Sequence, residues 1–271
     1  MGRSRHRVLD MVSRDSSRRR GEPAPGRGCG TIARVSPATE LDIDRRRPVE
    51  RILLGDGRSW VDLCTGFAKQ PEELLGQVLA TTEWSQGATW RFDHYVDEHR
   101  LGAWIPPDTM PAAVRQTGLH LESRYKVRFT GVTTILYRDG EDFQGLHSDR
   151  EMRWLDDTLI AILVLGEARP FLLRPRRDWR DPDARRDASE DVVLRPGHGD
   201  LLVMGGRCQQ DWLHGVPSFA TPNPRVSITW RWTSRRGRPD TAPGYSEGRH
   251  HSDGPRVAGR RTRPADPTQR R

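Results

Sequence analysis

Two side chains in the segment Gln144-Gly-Leu-His147-Ser-Asp149 have the types and the spacing to hold a metal ion. On a strand, residues two apart leave the same face, so His147 and Asp149 would stand side by side. An imidazole and a carboxylate there can each give a lone pair to one ion. A second histidine would complete the two-histidine, one-carboxylate set that leaves coordination positions open on Fe(II). His214, in Asp211-Trp-Leu-His214-Gly-Val-Pro217 after the Gly205-Gly206 turn, sits on an expected strand and is the candidate. A histidine satisfied within the core is the plainer alternative. The pattern His-x-Asp is not selective by itself, because the chain contains it three times. His198-Gly-Asp200 falls in a glycine-flanked turn and reads as turn chemistry. His251-Ser-Asp253 falls in a low-complexity tail. Strand context singles out the first.

Eleven residues after His214 begins Arg225-Val-Ser-Ile-Thr-Trp-Arg231-Trp232. As a strand it puts Arg225, Ser227, Thr229 and Arg231 on one face and Val226, Ile228, Trp230 and Trp232 on the other. The polar face is either solvated or lines a sheet interior that holds an anionic small molecule, since guanidinium groups form paired hydrogen bonds to carboxylates.

The elements that must position these groups follow from punctuation and periodicity. Short strands are expected at Ile52–Leu54 and Trp60–Leu63. Pro71-Glu72-Glu73 opens a helix with Leu74, Leu75, Val78 and Leu79 as its buried stripe. A second helix runs from Pro111 to about Tyr125. Alternation then turns strand-like through Val127–Tyr137, the apolar run Leu159–Leu165, Val192–Leu194, Leu201–Met204 and Arg225–Trp232. Residues 174–190 read as a polar, exposed loop. The expected fold is α+β, mainly β: a double-stranded β-helix (jelly-roll) core with helices packed on one sheet.

Charge is unevenly placed in this 271-residue chain. Residues 1–50 carry 12 arginines against 7 acidic residues and 233–271 carry 10 against 4, so a net charge of +8 overall leaves 51–232 slightly negative. The Arg-, Pro- and Gly-rich ends cannot bury enough apolar surface to offset their ordering entropy. This divides the chain into a disordered basic extension at 1–48, a folded domain at 49–232 and a disordered basic tail at 233–271. Cys29, Cys64 and Cys208 form no CxxC, there is no apolar run of membrane length and no secretory pattern. A cytoplasmic monomer without a membrane partner is expected.

Taken in order, RLGAW (Arg100–Trp104), LYRDGED (Leu136–Asp142), HSDRE (His147–Glu151), GDLLVMGG (Gly199–Gly206), QQDWLHGVP (Gln209–Pro217) and PRVSITWRW (Pro224–Trp232) resemble the AlkB-like branch of the iron- and 2-oxoglutarate-dependent dioxygenases. The resemblance implies that His147, Asp149 and His214 hold Fe(II). It gives Arg225 the distal carboxylate of 2-oxoglutarate, Tyr137 a hydrogen bond to that cosubstrate, and Arg231 its metal-bound end. It makes Glu151 an acceptor for the target base and Trp104 a candidate stacking wall. Trp90 and Phe92 are further candidates, with core packing the alternative for all three aromatics. Two positions depart from the family pattern: Ile135 and Ser227 stand where asparagine is frequent, and of the two only serine can still donate a hydrogen bond. The implied activity uses Fe(II), 2-oxoglutarate and O2 to remove N-alkyl groups from damaged bases, in DNA before RNA, releasing aldehyde, succinate and CO2. An oxygenase of proteins or small metabolites, and a non-catalytic nucleic-acid-binding relative, are the alternatives.

Overall fold

The computed structural model describes residues 42–91, 94–149, 152, 157–177 and 180–234, all within one unit, Thr39–Arg271. The expectations for residues 1–41 and 235–271, and those for Phe92, Glu151, His251 and the Trp90 side chain, lie outside the described residues.

In chain order the elements are β1 (Glu50–Leu53), β2 (Ser59–Cys64), α1 (Pro71–Thr81), β3 (Ser85–Arg91), β4 (His94–Trp104), α2 (Ala112–Tyr125), β5 (Val132–Tyr137) and β6 (Gln144–His147). They continue with β7 (Thr158–Gly166), β8 (Phe171–Pro175), α3 (Pro182–Arg186), β9 (Val192–Leu194), β10 (Leu201–Gly206), α4 (Cys208–Asp211), β11 (Trp212–Val216) and β12 (Arg225–Thr233). They form an eight-stranded sheet, β1-β2-β10-β7-β12-β5-β4-β3, and a four-stranded sheet, β6-β11-β8-β9.

Two apolar layers explain why. One lies between the large sheet and the helices and contains Leu74, Leu75 and Val78 of α1, Ala113, Val114 and Leu121 of α2, and Leu163, Leu165, Leu201, Val203, Val226, Ile228 and Trp230 from the strands. The other lies between the sheets and contains Tyr137, Ile160, Ile162, Val164, Phe171, Leu173, Trp212 and Val216. β7 is buried on both faces from Thr158 to Leu165, as its unbroken apolar run requires. Strand alternation therefore sends Val226, Ile228 and Trp230 toward the helices and Arg225, Ser227 and Thr229 the other way. Arg225, Ser227 and Thr229 are all buried, which overturns a solvated polar face. β12 pairs with β5 so that Arg225 faces Tyr137, Ser227 faces Ile135 and Thr229 faces Thr133.

Two further expectations change. Packing begins before residue 49: Ile43 is 2% exposed and bridges to Ala68. One apolar residue in an arginine-rich stretch is invisible to composition. The polar segment 174–190 is not simply a loop, because Arg174 belongs to β8 and pairs with Asp191 at 2.6 Å. It also holds α3, whose N-cap Asp181 accepts from the backbone N–H groups of Asp183 and Ala184, with Pro182 in the first turn. The aromatic stretch before Trp104 forms the paired strands β3 and β4.

The turn after β5 is fastened to the segment after β11. Gly140 donates to the Thr221 carbonyl at 2.8 Å and accepts from Phe219 at 3.0 Å. A Cβ on Gly140 would overlap the Phe219 carbonyl oxygen, which cannot rotate aside as a side chain can. Gly140→Ala is expected to destabilise the protein by about 1–3 kcal/mol, the usual cost of overpacking. Chemical denaturation checks this, and an unchanged midpoint would contradict it.

Candidate metal centre

β6 and β11 bring the two histidines together. His147 and His214 are register partners, with ring centroids 4.3 Å apart. Asp149 lies two residues past His147, and its Oδ1 is 3.6 Å from His147 Nε2. One ligand atom from each of the three can be chosen with all within 4.8 Å of one another. An ion about 2.1 Å from each donor needs ligand atoms about 4.2 Å apart or closer, so a small contraction closes the set.

Charge and hydrogen bonding prepare these groups as ligands. His147 Nδ1 lies 2.9 Å from the Gly145 carbonyl and 3.2 Å from Gln144 Nε2, and with its proton on Nδ1 the ring would present the Nε2 lone pair to an ion. Burial pushes His214 down to about 3, and His147 beside it adds to the effect, so the ring is neutral at physiological pH. Burial alone would raise Asp149, but the Arg231 guanidinium and the two histidines hold it well below the usual carboxylate range. Arg231 donates through Nε to Asp149 Oδ2 at 2.7 Å and through Nη1 to Thr133 Oγ1 at 2.7 Å. The Asp149 backbone N–H donates to Gln209 Oε1 at 2.8 Å.

The polar row of β12 continues from this centre. Arg225 is 0% exposed and donates through Nη1 to the Pro196 carbonyl at 3.2 Å. Its Nε and Nη2 have no partner among the described residues. Burial pushes it down to about 10, which leaves it charged at neutral pH. Unsatisfied donors on a buried cation are costly, and a carboxylate with two oxygens side by side would satisfy them. The residues present therefore fit an anionic ligand. Tyr137, across from Arg225, is wholly buried, and burial pushes its phenol up against the pull of Arg100, Arg225 and Arg169, so it stays a neutral donor. Ser227 stands next on the row, opposite Ile135.

Trp104 is partly buried and in register with Thr133, which places it on the sheet face that carries Arg231, the partner of Asp149. Its indole Nε1 has no partner among the described residues. The rival His198-Gly-Asp200 is a turn fastener: Gly166 donates to His198 Nδ1 at 2.7 Å, and Asp200 accepts from Gly66 and Gly197 at 2.8 and 2.7 Å. Sequence reasoning missed Gln209, Thr133 and Arg176. Gln209 is fully buried on α4, and Arg176 donates to its carbonyl and to Ser148 Oγ, between His147 and Asp149. Only Thr133 had a signal, since it shares a strand face with Tyr137.

The sequence profile of the 2OG-Fe(II) oxygenase superfamily matches residues 69–231. The chain is 31% identical over 228 residues to the alpha-ketoglutarate-dependent dioxygenase alkB homolog 3 of Mus musculus, covering 77% of this chain and 78% of that one. It is 30% identical over 228 residues to the Homo sapiens protein of the same name, with the same coverage. Over 104 residues, 38% of this chain and 43% of the relative, it is 35% identical to the DNA oxidative demethylase ALKBH2 of Mus musculus.

Manganese titration followed by electron paramagnetic resonance tests the ligand set. His147→Ala is expected to weaken binding by more than the 10–100-fold typical of losing an outer-shell partner, Gln209→Ala by about that 10–100-fold. His198→Ala is expected to leave metal affinity unchanged and to cost about 1–3 kcal/mol of stability through the unpaired Gly166 N–H. Equal losses of affinity in the two histidine variants would contradict the assignment.

Proposed function

The chain belongs to the AlkB-like family of iron(II)- and 2-oxoglutarate-dependent dioxygenases, and from that premise we propose that it acts as a monomer to remove N-alkyl groups oxidatively from alkylated nucleobases, in DNA in preference to RNA. One observation carries the site reading: a buried guanidinium with two unpartnered donors, Arg225, on the same strand face as the arginine that holds Asp149. One face of β12 thus carries both Arg225 and Arg231, the arginine bonded to the carboxylate of the metal set.

In this reading His147, Asp149 and His214 hold the iron as two neutral imidazoles and one carboxylate. Arg231 occupies Asp149 Oδ2, which leaves Oδ1 as the ligating oxygen. Arg225 receives the distal carboxylate of 2-oxoglutarate, Tyr137 and Ser227 donate hydrogen bonds to the same ligand, and Ile135 supplies apolar contact where a donor is frequent in the family. The metal and 2-oxoglutarate, with O2, supply the oxidant that places oxygen on the alkyl carbon, and succinate and CO2 leave. The resulting N-hydroxyalkyl group loses an aldehyde as its hydroxyl proton passes to water and the C–N electron pair stays with the base. Trp104 stacks on the target base, and Glu151 accepts hydrogen bonds from it. A duplex base must first be flipped out, at a cost of a few kcal/mol that is least for a damaged base.

With iron and 2-oxoglutarate, an N-methylated oligonucleotide is expected to lose its methyl group in step with succinate formation, whereas an unmethylated one is not turned over. Glu151→Ala is expected to preserve succinate formation and slow methyl removal about tenfold, as loss of a base-reading contact does. Loss of iron binding in that variant would refute the base-reading role. Succinate formation indifferent to methylation would favour a protein or metabolite substrate. Nucleic-acid binding without turnover would favour a non-catalytic relative.

A further inference from the structure

Arg169, between β7 and β8, is 0% exposed, and no carboxylate pairs with it among the described residues. The nearest candidate, Asp142, is engaged by the Arg138 guanidinium at 2.8 Å and by the Arg138 N–H at 2.8 Å. Arg169 instead donates through Nη1 to the Asp139 carbonyl at 3.0 Å. Through Nη2 it donates to the carbonyls of Asp142 at 2.7 Å and Pro217 at 2.8 Å. Its guanidinium carbon lies 5.1 Å from the centre of the Tyr137 ring. Burying an ion costs several kcal/mol even after relaxation, and a neutral side chain would avoid that cost if joining loops were the whole task.

The placement of the three carbonyls suggests what the charge is for. Asp139 and Asp142 lie on the turn between Tyr137 and His147, and Pro217 follows β11, which carries His214. One side chain thus ties together the two segments that flank the metal set while lying against the ring of Tyr137. Arg225 faces the same tyrosine in the strand register.

We propose that Arg169 is a positioning residue for cosubstrate binding, which holds the Tyr137 ring by a cation–π contact so that its hydroxyl meets the 2-oxoglutarate bound at Arg225. This rests on the cosubstrate reading given above. Arg169 does not touch the ligand and acts through Tyr137. Arg169→Lys keeps the charge but cannot reach three carbonyls and the ring face together, so the tyrosine loses its support.

The test is calorimetric titration of 2-oxoglutarate into manganese-loaded protein, with manganese affinity measured separately. Arg169→Lys is expected to weaken 2-oxoglutarate binding about tenfold, as loss of a desolvated cation–π contact does. Manganese affinity is expected to stay unchanged. Tyr137→Phe is expected to weaken 2-oxoglutarate binding too. Adding Arg169→Lys to Tyr137→Phe is expected to change affinity by less than about twofold, because coupled residues are not additive. Full additivity, a parallel loss of manganese affinity, or no loss at all would overturn the inference. Should Arg169→Lys fail to fold, Arg169→Gln, which retains two donors for the carbonyls, is read by the same criteria. Wild-type protein that binds manganese but not 2-oxoglutarate would overturn the cosubstrate reading itself, and this inference with it.

Discussion

A guanidinium buried in the middle of a β-sheet, with no carboxylate partner among the described residues, is the constraint to which the rest of this structure answers. Arg225 belongs to β12, held between β7 and β5, and strand alternation allows it no escape to solvent. Rotating the strand to expose it would turn Val226, Ile228 and Trp230 out of the layer beneath the helices. Each of those side chains contributes on the order of 1.5–3 kcal/mol by burial. The apolar face of β12 therefore fixes its polar face inward. The register with β5 then sets Tyr137 beside Arg225. A ligand that neutralises Arg225 relieves an existing cost.

The same strand reaches the metal set at its far end. Arg231 shares its donors between Asp149 and Thr133, so the orientation of this candidate ligand depends on a residue of β5 as well as one of β12. Gln209 fixes the Asp149 backbone from α4, and Arg176 reaches the same segment from the β8–β9 insertion. The exposed end of the set is His147, whose side chain is 33% exposed, whereas Asp149 is 11% exposed.

Much of this was legible in sequence because it depends on neighbours along the chain. Period-two spacing identified His147 with Asp149 and the arginine row of β12, and strand context separated the first His-x-Asp from the turn at His198. What stayed hidden depends on partners far away in the chain. Nothing in Arg231 itself says that it will bond to Asp149, and the two are 82 residues apart. Gln209 and Arg169 read as ordinary polar residues until three-dimensional packing buries them. The departures Ile135 and Ser227 look like two independent changes in sequence, yet they face each other across β5 and β12 and form a single altered rung. Ile43 was lost in an arginine-rich segment for the complementary reason, since one buried contact leaves composition unmoved.

The ligand that Arg225 binds is the central claim. Calorimetric titration of 2-oxoglutarate into manganese-loaded protein, comparing wild type with Arg225→Met, measures this. Loss of a buried charge-assisted pair predicts at least about 100-fold weaker 2-oxoglutarate binding in the variant, with manganese affinity retained. Equal 2-oxoglutarate affinity in the two proteins would contradict the account.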